Sequence, residues 1–330
     1  METKIGYGVT LENSTPREAL EQTVRAENIG FDSVWVDDHF HPWHHTNAEC
    51  GQSWVWMGAA LQATKKIFMS TCITCPILRY QPAIVAQAFA TMRQMYPGRV
   101  GLAVGSGEAM NEVPVVGKWP SGAERRAMTV EAVEVMRKLW ESDENVTFKG
   151  DYYSLDKAFL YTKPEDEVPL YFSGIGPIGS YVAGQHGDHL ITVISPPDHL
   201  KNVTLPNFEK GARDAGKNPD EMERTMTLFY SIDPDYEKAL DALDFWCGAL
   251  APAMVTYKVY DSREIEMHGN LMSREAKEAS FVIATDPEDL IKKIEVYKDI
   301  GMNHFALSNS SPDVNYGIDV FKEIIPHLKD

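Results

Sequence analysis

The sequence predicts an α/β fold in which eight parallel strands and their helices close into a (β/α)8 TIM barrel with insertions. Three observations point there. Strand-like apolar runs alternate with helical patterns along all 330 residues, with no linker, repeat or low-complexity stretch between them. The strands read as near-continuous apolar runs, as strands covered on both faces do. Eight such units can be counted, whereas an open doubly wound sheet usually holds about six strands.

The elements follow in order. Ile5 to Val9 is the first strand and Arg17 to Asn28 its helix, stopped by Gly30. Phe31 to Val36 is the second strand, with Trp54 to Thr64 behind it. Phe68 to Thr74 is the third; its helix opens at Pro82, carries Val85, Ala88, Phe89, Met92 and Met95 on one stripe, and stops at Pro97-Gly98. Val100 to Val104 is the fourth, followed by a helix with Val130, Val133, Met136, Leu139 and Trp140 at helical spacing. A hairpin-like insert, Val146 to Leu155, turns at Gly150-Asp151. Leu170 to Ser173, Leu190 to Ile194 and Met226 to Ile232 are strands five to seven. His304 to Ser308 is the last, and Ile318, Phe321, Ile324, Ile325 and Leu328 face inward from the final helix. The segment from about 247 to 278, which contains Tyr257-Lys-Val-Tyr-Asp261, departs from the alternation. It reads as an insertion near the barrel mouth within a single domain, residues 1–330.

Composition narrows the function. Apolar residues at 44% and charged residues at 24% are globular values, and no run approaches the ~20 apolar residues of a membrane helix. The N-terminal segment carries an acidic residue, enters a strand at once and lacks the form of a signal peptide, so a cytoplasmic location is expected. A net charge of −17 disfavours nucleic acid and anionic membranes as partners, since long-range repulsion opposes both. The four cysteines show no disulfide framework. Cys72-Ile-Thr-Cys75 has redox-motif spacing, but it lies in a strand-like run where residues i and i+3 point to opposite faces.

Chemistry in a barrel sits where strands end and helices have not begun. Strand two runs straight into Asp37, Asp38 and His39, with Trp43 four residues on. Strand three ends at Cys72, Ile73, Thr74 and Cys75, strand four at Gly105-Ser-Gly-Glu108-Ala-Met-Asn111-Glu, and strand five at Ser173-Gly-Ile-Gly-Pro-Ile-Gly179. Gly105 and Gly107 are followed by Met110, so a dinucleotide Gly-x-Gly-x-x-Gly fingerprint fails. Gly174 to Gly179 opens a helix with bare N–H groups, a ready anion site, although a plain βα turn has the same appearance. His39, His41, His44 and His45 fall within seven residues, which raises a zinc site as a rival. No His-Glu-x-x-His helix is present and Pro42 breaks helical spacing, so acid/base work by His39 is favoured over a metal site or a solvated loop.

Four segments, taken in order, resemble a known family. Asp37-Asp-His-Phe-His-Pro-Trp43, Ala83-Ile-Val-Ala-Gln-Ala-Phe-Ala-Thr-Met92, Tyr96-Pro-Gly-Arg-Val100 and Gly105-Ser-Gly-Glu-Ala-Met-Asn-Glu112 are similar to the bacterial-luciferase-like barrels that use the deazaflavin coenzyme F420. The likeness spans essentially the whole chain and is strongest to the alcohol-oxidising branch known from methanogens. It implies hydride exchange between a small secondary alcohol, or its ketone, and C5 of the deazaflavin, in a homodimer. It implies a ring beside Asp38, backed by a bulge with a cis peptide at Cys72–Ile73. Phosphate and tail contacts are implied at Cys75, Ser106, Gly107, Asn111, Ile175, Gly176, Ile178 and Gly179. No metal is implied.

The resemblance also assigns the substrate oxygen to His39, Trp43 and Glu108. His39, at an unperturbed pKa of ~6.5, could accept the hydroxyl proton near neutrality. Trp43 can only donate its N–H, and Glu108, with a raised pKa, could share the proton. The sugar-phosphate dehydrogenases of the family hold phosphate with two lysines and an arginine. At the matching positions this chain has Pro196, Lys258 and Ser280, so one cation remains. Val193, Phe229 and Trp246 would instead form an apolar pocket, though Trp246 could equally be plain core. An FMN-dependent luciferase-like monooxygenase and a sugar-6-phosphate dehydrogenase remain the alternatives.

Overall fold

All eight expected strands form in the computed structural model, which describes residues 1–193, 195–251 and 258–329. In chain order the strands are β1 (Lys4–Val9), β2 (Ser33–Val36), β3 (Phe68–Thr71), β4 (Leu102–Val104), β5 (Val146–Lys149), β6 (Ser154–Ala158), β7 (Leu170–Ser173), β8 (His189–Val193), β9 (Arg224–Ile232), β10 (Val282–Ala284) and β11 (His304–Asn309). The barrel order is β3-β2-β1-β11-β9-β8-β7-β4, all parallel. Bridges Met69 to Val100 and Thr74 to Val104 join its two ends. The antiparallel hairpin β5–β6 stands apart, as its turn chemistry predicts.

Local signals set the helix ends. The helix Pro16–Ile29 starts with a capping box, Thr15 accepting from the Glu18 N–H while the Glu18 carboxylate accepts from Thr15, and it stops at Gly30 in the left-handed region. Pro82 opens the helix Pro82–Met95, and its inward stripe of Val85, Ala86, Phe89 and Ala90 is fully buried against the barrel. Among the described residues no helix is long and apolar enough to cross a membrane.

The barrel interior is filled from below by aromatic rings. Trp35 meets Tyr171 edge to face with centroids 4.9 Å apart, and small residues such as Ala103 and Ala306 make room for them. Gly6 belongs to the same economy of space, because a Cβ there would collide with Ser33 Oγ. Beneath Trp35 lies a buried polar network. The indole N–H donates to Ser33 Oγ at 2.9 Å, Ser33 meets His304 Nε2 at 2.7 Å, and His304 Nδ1 meets Glu223 at 2.7 Å. Burial alone would raise Glu223, but His304 and Lys4 hold it well below the usual carboxylate range. Every member is satisfied, which closes the bottom of the barrel at low cost.

Two departures from the expected elements bear on the site. The third strand ends at Thr71, not Thr74, because the chain bulges at Cys72–Ile73, whose peptide is cis, before Thr74 regains its bridge to Val104. The segment before β10 forms helices Ser262–Gly269 and Arg274–Ser280, and β10 extends the sheet beside Tyr230 to Ile232 of β9. Ile194, expected to end the sixth strand, and Tyr257 of the insertion lie outside the described residues.

Candidate active site

A cavity of about 700 Å³ opens at the C-terminal ends of the strands, with Trp35, Ile191 and Ala306 as its floor. β2 ends at Val36 and delivers Asp37, Asp38 and His39 to its wall. His39 Nδ1 is hydrogen-bonded to Glu12, a fully buried carboxylate in the loop after β1. The other oxygen of Glu12 accepts the Trp43 backbone N–H at 2.7 Å, so one carboxylate sets both the imidazole and the turn that carries the indole. His39 Nε2 is left toward the cavity, 3.6 Å from Glu108 Oε2. The Trp43 ring stands edge-on to the imidazole, centroids 5.8 Å apart at 84°, and both line the cavity. A proton-carrying nitrogen and an N–H donor therefore share one wall.

Glu12 escaped the sequence reading. The available signal was a carboxylate three residues past the first strand, at the same barrel end as Asp37 and His39.

The charge around His39 changes its expected role. Burial would lower the imidazole, but the charge and hydrogen bond of Glu12, with Glu108 and Asp37 adding to them, push it up to about 10. It is an imidazolium at neutral pH, and not the near-neutral base that an unperturbed value implies. Asp37, whose Oδ2 lies 3.8 Å from Nδ1, is pushed up to about 7 by burial, partly opposed by His39 and reinforced by Glu12. Glu108 is raised by its depth in the mouth and by Glu12, against the pull of His39. Its side chain is nevertheless 45% exposed, so it stands between the imidazole and solvent.

The other histidines of the loop are docked by the insertion. Glu266 accepts the backbone N–H groups of His45 and Thr46, both at 2.9 Å, and lies 3.6 Å from His44 Nε2. His41 Nδ1 meets the Tyr260 carbonyl and Ser262 donates to the Pro42 carbonyl. Glu12, Asp37 and His39 lie close enough together to suggest metal ligands. Their lone pairs are, however, engaged with one another and with the N–H groups of Trp43 and Leu11, the arrangement of a hydrogen-bond relay.

Next to this wall the cavity has a second, flatter one. The Asp38 carboxylate accepts from Thr74 at 2.6 Å and Tyr80 at 3.0 Å and pairs with Arg79, which is itself paired with Glu112. Cys72, Ile73 and Cys75 line the bulge, facing Ser106 and Gly107. Asn111 also borders the cavity, and its side chain accepts the Phe40 N–H at 2.8 Å and donates to Glu108 at 3.2 Å. Ile175 reaches the rim, whereas Gly176, Ile178 and Gly179 form the cap and first turn of helix Pro177–His186 just outside it, with Ile178 61% exposed.

Gly107 holds φ at +76°, and a Cβ there would collide with Cys75 Sγ. Gly107→Ala should therefore destabilise by about 1–3 kcal/mol in thermal unfolding. Adding Cys75→Ala should recover only the steric part; full recovery would show that the backbone conformation costs nothing.

Adjoining the Trp43 ring, the cavity is apolar. Phe229 and Trp246 lie 4.8 Å apart at 30°, joined by Val193, Val259 and Leu250. Trp246 is both wall and core: it is 2% exposed and packs with Trp43, Met110 and Phe281 as well. Ser280 lines a separate hollow with His268 and Leu271, away from this cavity.

The profile of the luciferase-like monooxygenase family matches residues 2–304. An F420-dependent glucose-6-phosphate dehydrogenase of Amycolatopsis mediterranei is 38% identical over 329 residues, 99% of this chain and 98% of that one. Its counterpart from Mycolicibacterium fortuitum is 36% identical over 332 residues, with the same coverage. A solved F420-dependent secondary alcohol dehydrogenase in complex with an F420–acetone adduct is 65% identical, with a TM-score of 0.98 over 100% of both chains. The F420-dependent tetrahydromethanopterin reductase of Methanopyrus kandleri shares the fold, with a TM-score of 0.82 at 22% identity over 100% of both chains.

Proposed function

This chain belongs to the luciferase-like monooxygenase family, and we propose that within it the chain is an F420-dependent dehydrogenase interconverting a small secondary alcohol and its ketone. One observation carries the reading: His39 Nε2 and the Trp43 indole share a wall of a cavity that is also lined by the apolar rings of Phe229 and Trp246. A carbinol with short alkyl arms matches both surfaces.

The mouth fits a deazaflavin. Asp38, held by Thr74, Tyr80 and Arg79, offers a fixed polar edge, and the bulge at Cys72–Ile73 faces a loop kept free of side chains at Gly105 and Gly107. When bound, F420 supplies a two-electron hydride carrier at C5. The protein's own part is to position the alcohol oxygen and to exchange its proton. His39, charged at neutral pH, is ready to give a proton to a ketone oxygen; to take one from an alcohol it must first release its own. Trp43 stabilises negative charge on that oxygen with its N–H, and Glu108 beside Nε2 offers the exit toward solvent.

A sugar 6-phosphate is the second reading, favoured by the relatives that carry that activity. Against it, the positions that would bind the phosphate carry Pro196, Lys258 and Ser280, and Ser280 faces a different hollow. The experiment is anaerobic: oxidised F420 is mixed with 2-propanol or with glucose 6-phosphate and its absorbance followed. Loss with 2-propanol alone supports the alcohol; loss with glucose 6-phosphate alone replaces it with the sugar phosphate. The reading includes a cytoplasmic homodimer, which light scattering would register at twice the 37.0 kDa of the chain.

A further inference from the structure

A chain carrying −17 repels an anionic ligand at long range, so a polyanionic cofactor needs local cations where it docks. The described residues place one such cation in the cavity wall without a carboxylate partner. Arg125, in the first turn of helix Gly122–Glu141, lines the mouth cavity together with Trp119. Its guanidinium lies on the Trp119 ring, 3.6 Å from the centroid. Nε donates to the Ser106 carbonyl at 3.0 Å and Nη1 to the Pro120 carbonyl at 2.6 Å. Among the described residues no carboxylate lies within 4.0 Å of it, although acidic side chains outnumber basic ones 48 to 31. Burial lowers the guanidinium from its ordinary value, and the cation of Arg126 adds to that. A half-buried cation that forgoes an ion pair in so acidic a chain is costly unless an anion completes it.

We infer that Arg125, stacked on Trp119 and tethered to the loop of Ser106 and Gly107, is the anion subsite that takes the phosphodiester of the cofactor's side chain. The inference rests on the F420 reading and deepens it. Two carbonyl bonds and the indole face fix the guanidinium plane, leaving Nη2 as the donor edge. Lys118 precedes Trp119 and Arg126 follows Arg125, so two further cations flank the pair in the chain.

The experiment is equilibrium binding, read by the fluorescence of two probes: F420, and the phosphate-free 8-hydroxy-5-deazariboflavin that shares its ring. In the wild type F420 should bind more tightly, with an affinity that falls as salt rises, while the phosphate-free probe should be nearly salt-independent. Arg125→Gln should weaken F420 by roughly 10–100-fold, the loss of one charge-assisted contact, and leave the phosphate-free probe unchanged. Arg125→Lys should fall between, since a point charge keeps the attraction and loses the fork. Equal weakening of both probes would make Arg125 a loop tether only, and an unchanged F420 affinity would also overturn the subsite. If neither probe binds the wild type, the F420 reading itself fails, a result distinct from either of these.

Discussion

His39→Asn lowers kcat for 2-propanol oxidation by roughly 10²–10⁴-fold, the usual cost of losing general acid/base catalysis, while F420 affinity stays near the wild-type value. Asparagine is the informative replacement. Its amide N–H, at the position of Nδ1, can still donate to Glu12, so the buried carboxylate is not left without a partner, as it would be after substitution by alanine. What the amide cannot do is exchange a proton at the position of Nε2. Single-turnover measurements in both directions check this, because a residue that serves as acid one way is base the other way and both rates should fall. A variant that turns over normally while binding F420 removes His39 from the proton path and leaves Glu108, 3.6 Å away, as the remaining group.

Trp43→Phe should cost about 2.7–4 kcal/mol in kcat/KM, the range measured when one donor to an oxyanion is deleted. The ring is 8% exposed and packs with Met110, Leu243, Trp246 and Val259, so phenylalanine keeps most of the apolar contact and deletes the N–H. The expected loss therefore falls on kcat, because the oxygen carries more negative charge in the transition state than in the bound alcohol. A rise confined to KM would reduce Trp43 to a wall of the alcohol pocket.

Much of this site was legible because a barrel gathers its strand ends. Once eight apolar runs are counted, Asp37 to Trp43 after the second strand and Gly105 to Asn111 after the fourth must meet at one mouth, and His39 and Glu108 do. The strands themselves were readable because parallel strands covered on both faces are apolar throughout. What was lost depends on assembly in three dimensions. Glu12 is an ordinary acidic residue in a loop until folding buries it against His39. The raised pKa of His39 needs carboxylates from residues 12, 37 and 108 in one place, and no spacing rule brings those together. β10 is only three residues long and extends β9 without a turn signal of its own. Gly176, Ile178 and Gly179 follow the fifth strand as expected, but the helix they open starts just outside the cavity rim.

The central claim is that buried carboxylates, Glu12 foremost, hold His39 protonated beside the substrate oxygen, so that one imidazole sets the proton balance of both directions. The most direct measurement is the pH dependence of single-turnover oxidation and reduction in the wild type and in Glu12→Gln. Because the folded pKa lies above the unperturbed one, ketone reduction should stay at full rate below neutrality and fall as pH rises through about 10. Alcohol oxidation should climb over the same interval. In Glu12→Gln both limbs should move toward neutrality, since the amide keeps a hydrogen bond to Nδ1 and removes the charge. Limbs centred near pH 6.5 in the wild type, or limbs that stay in place when Glu12 loses its charge, would contradict the claim.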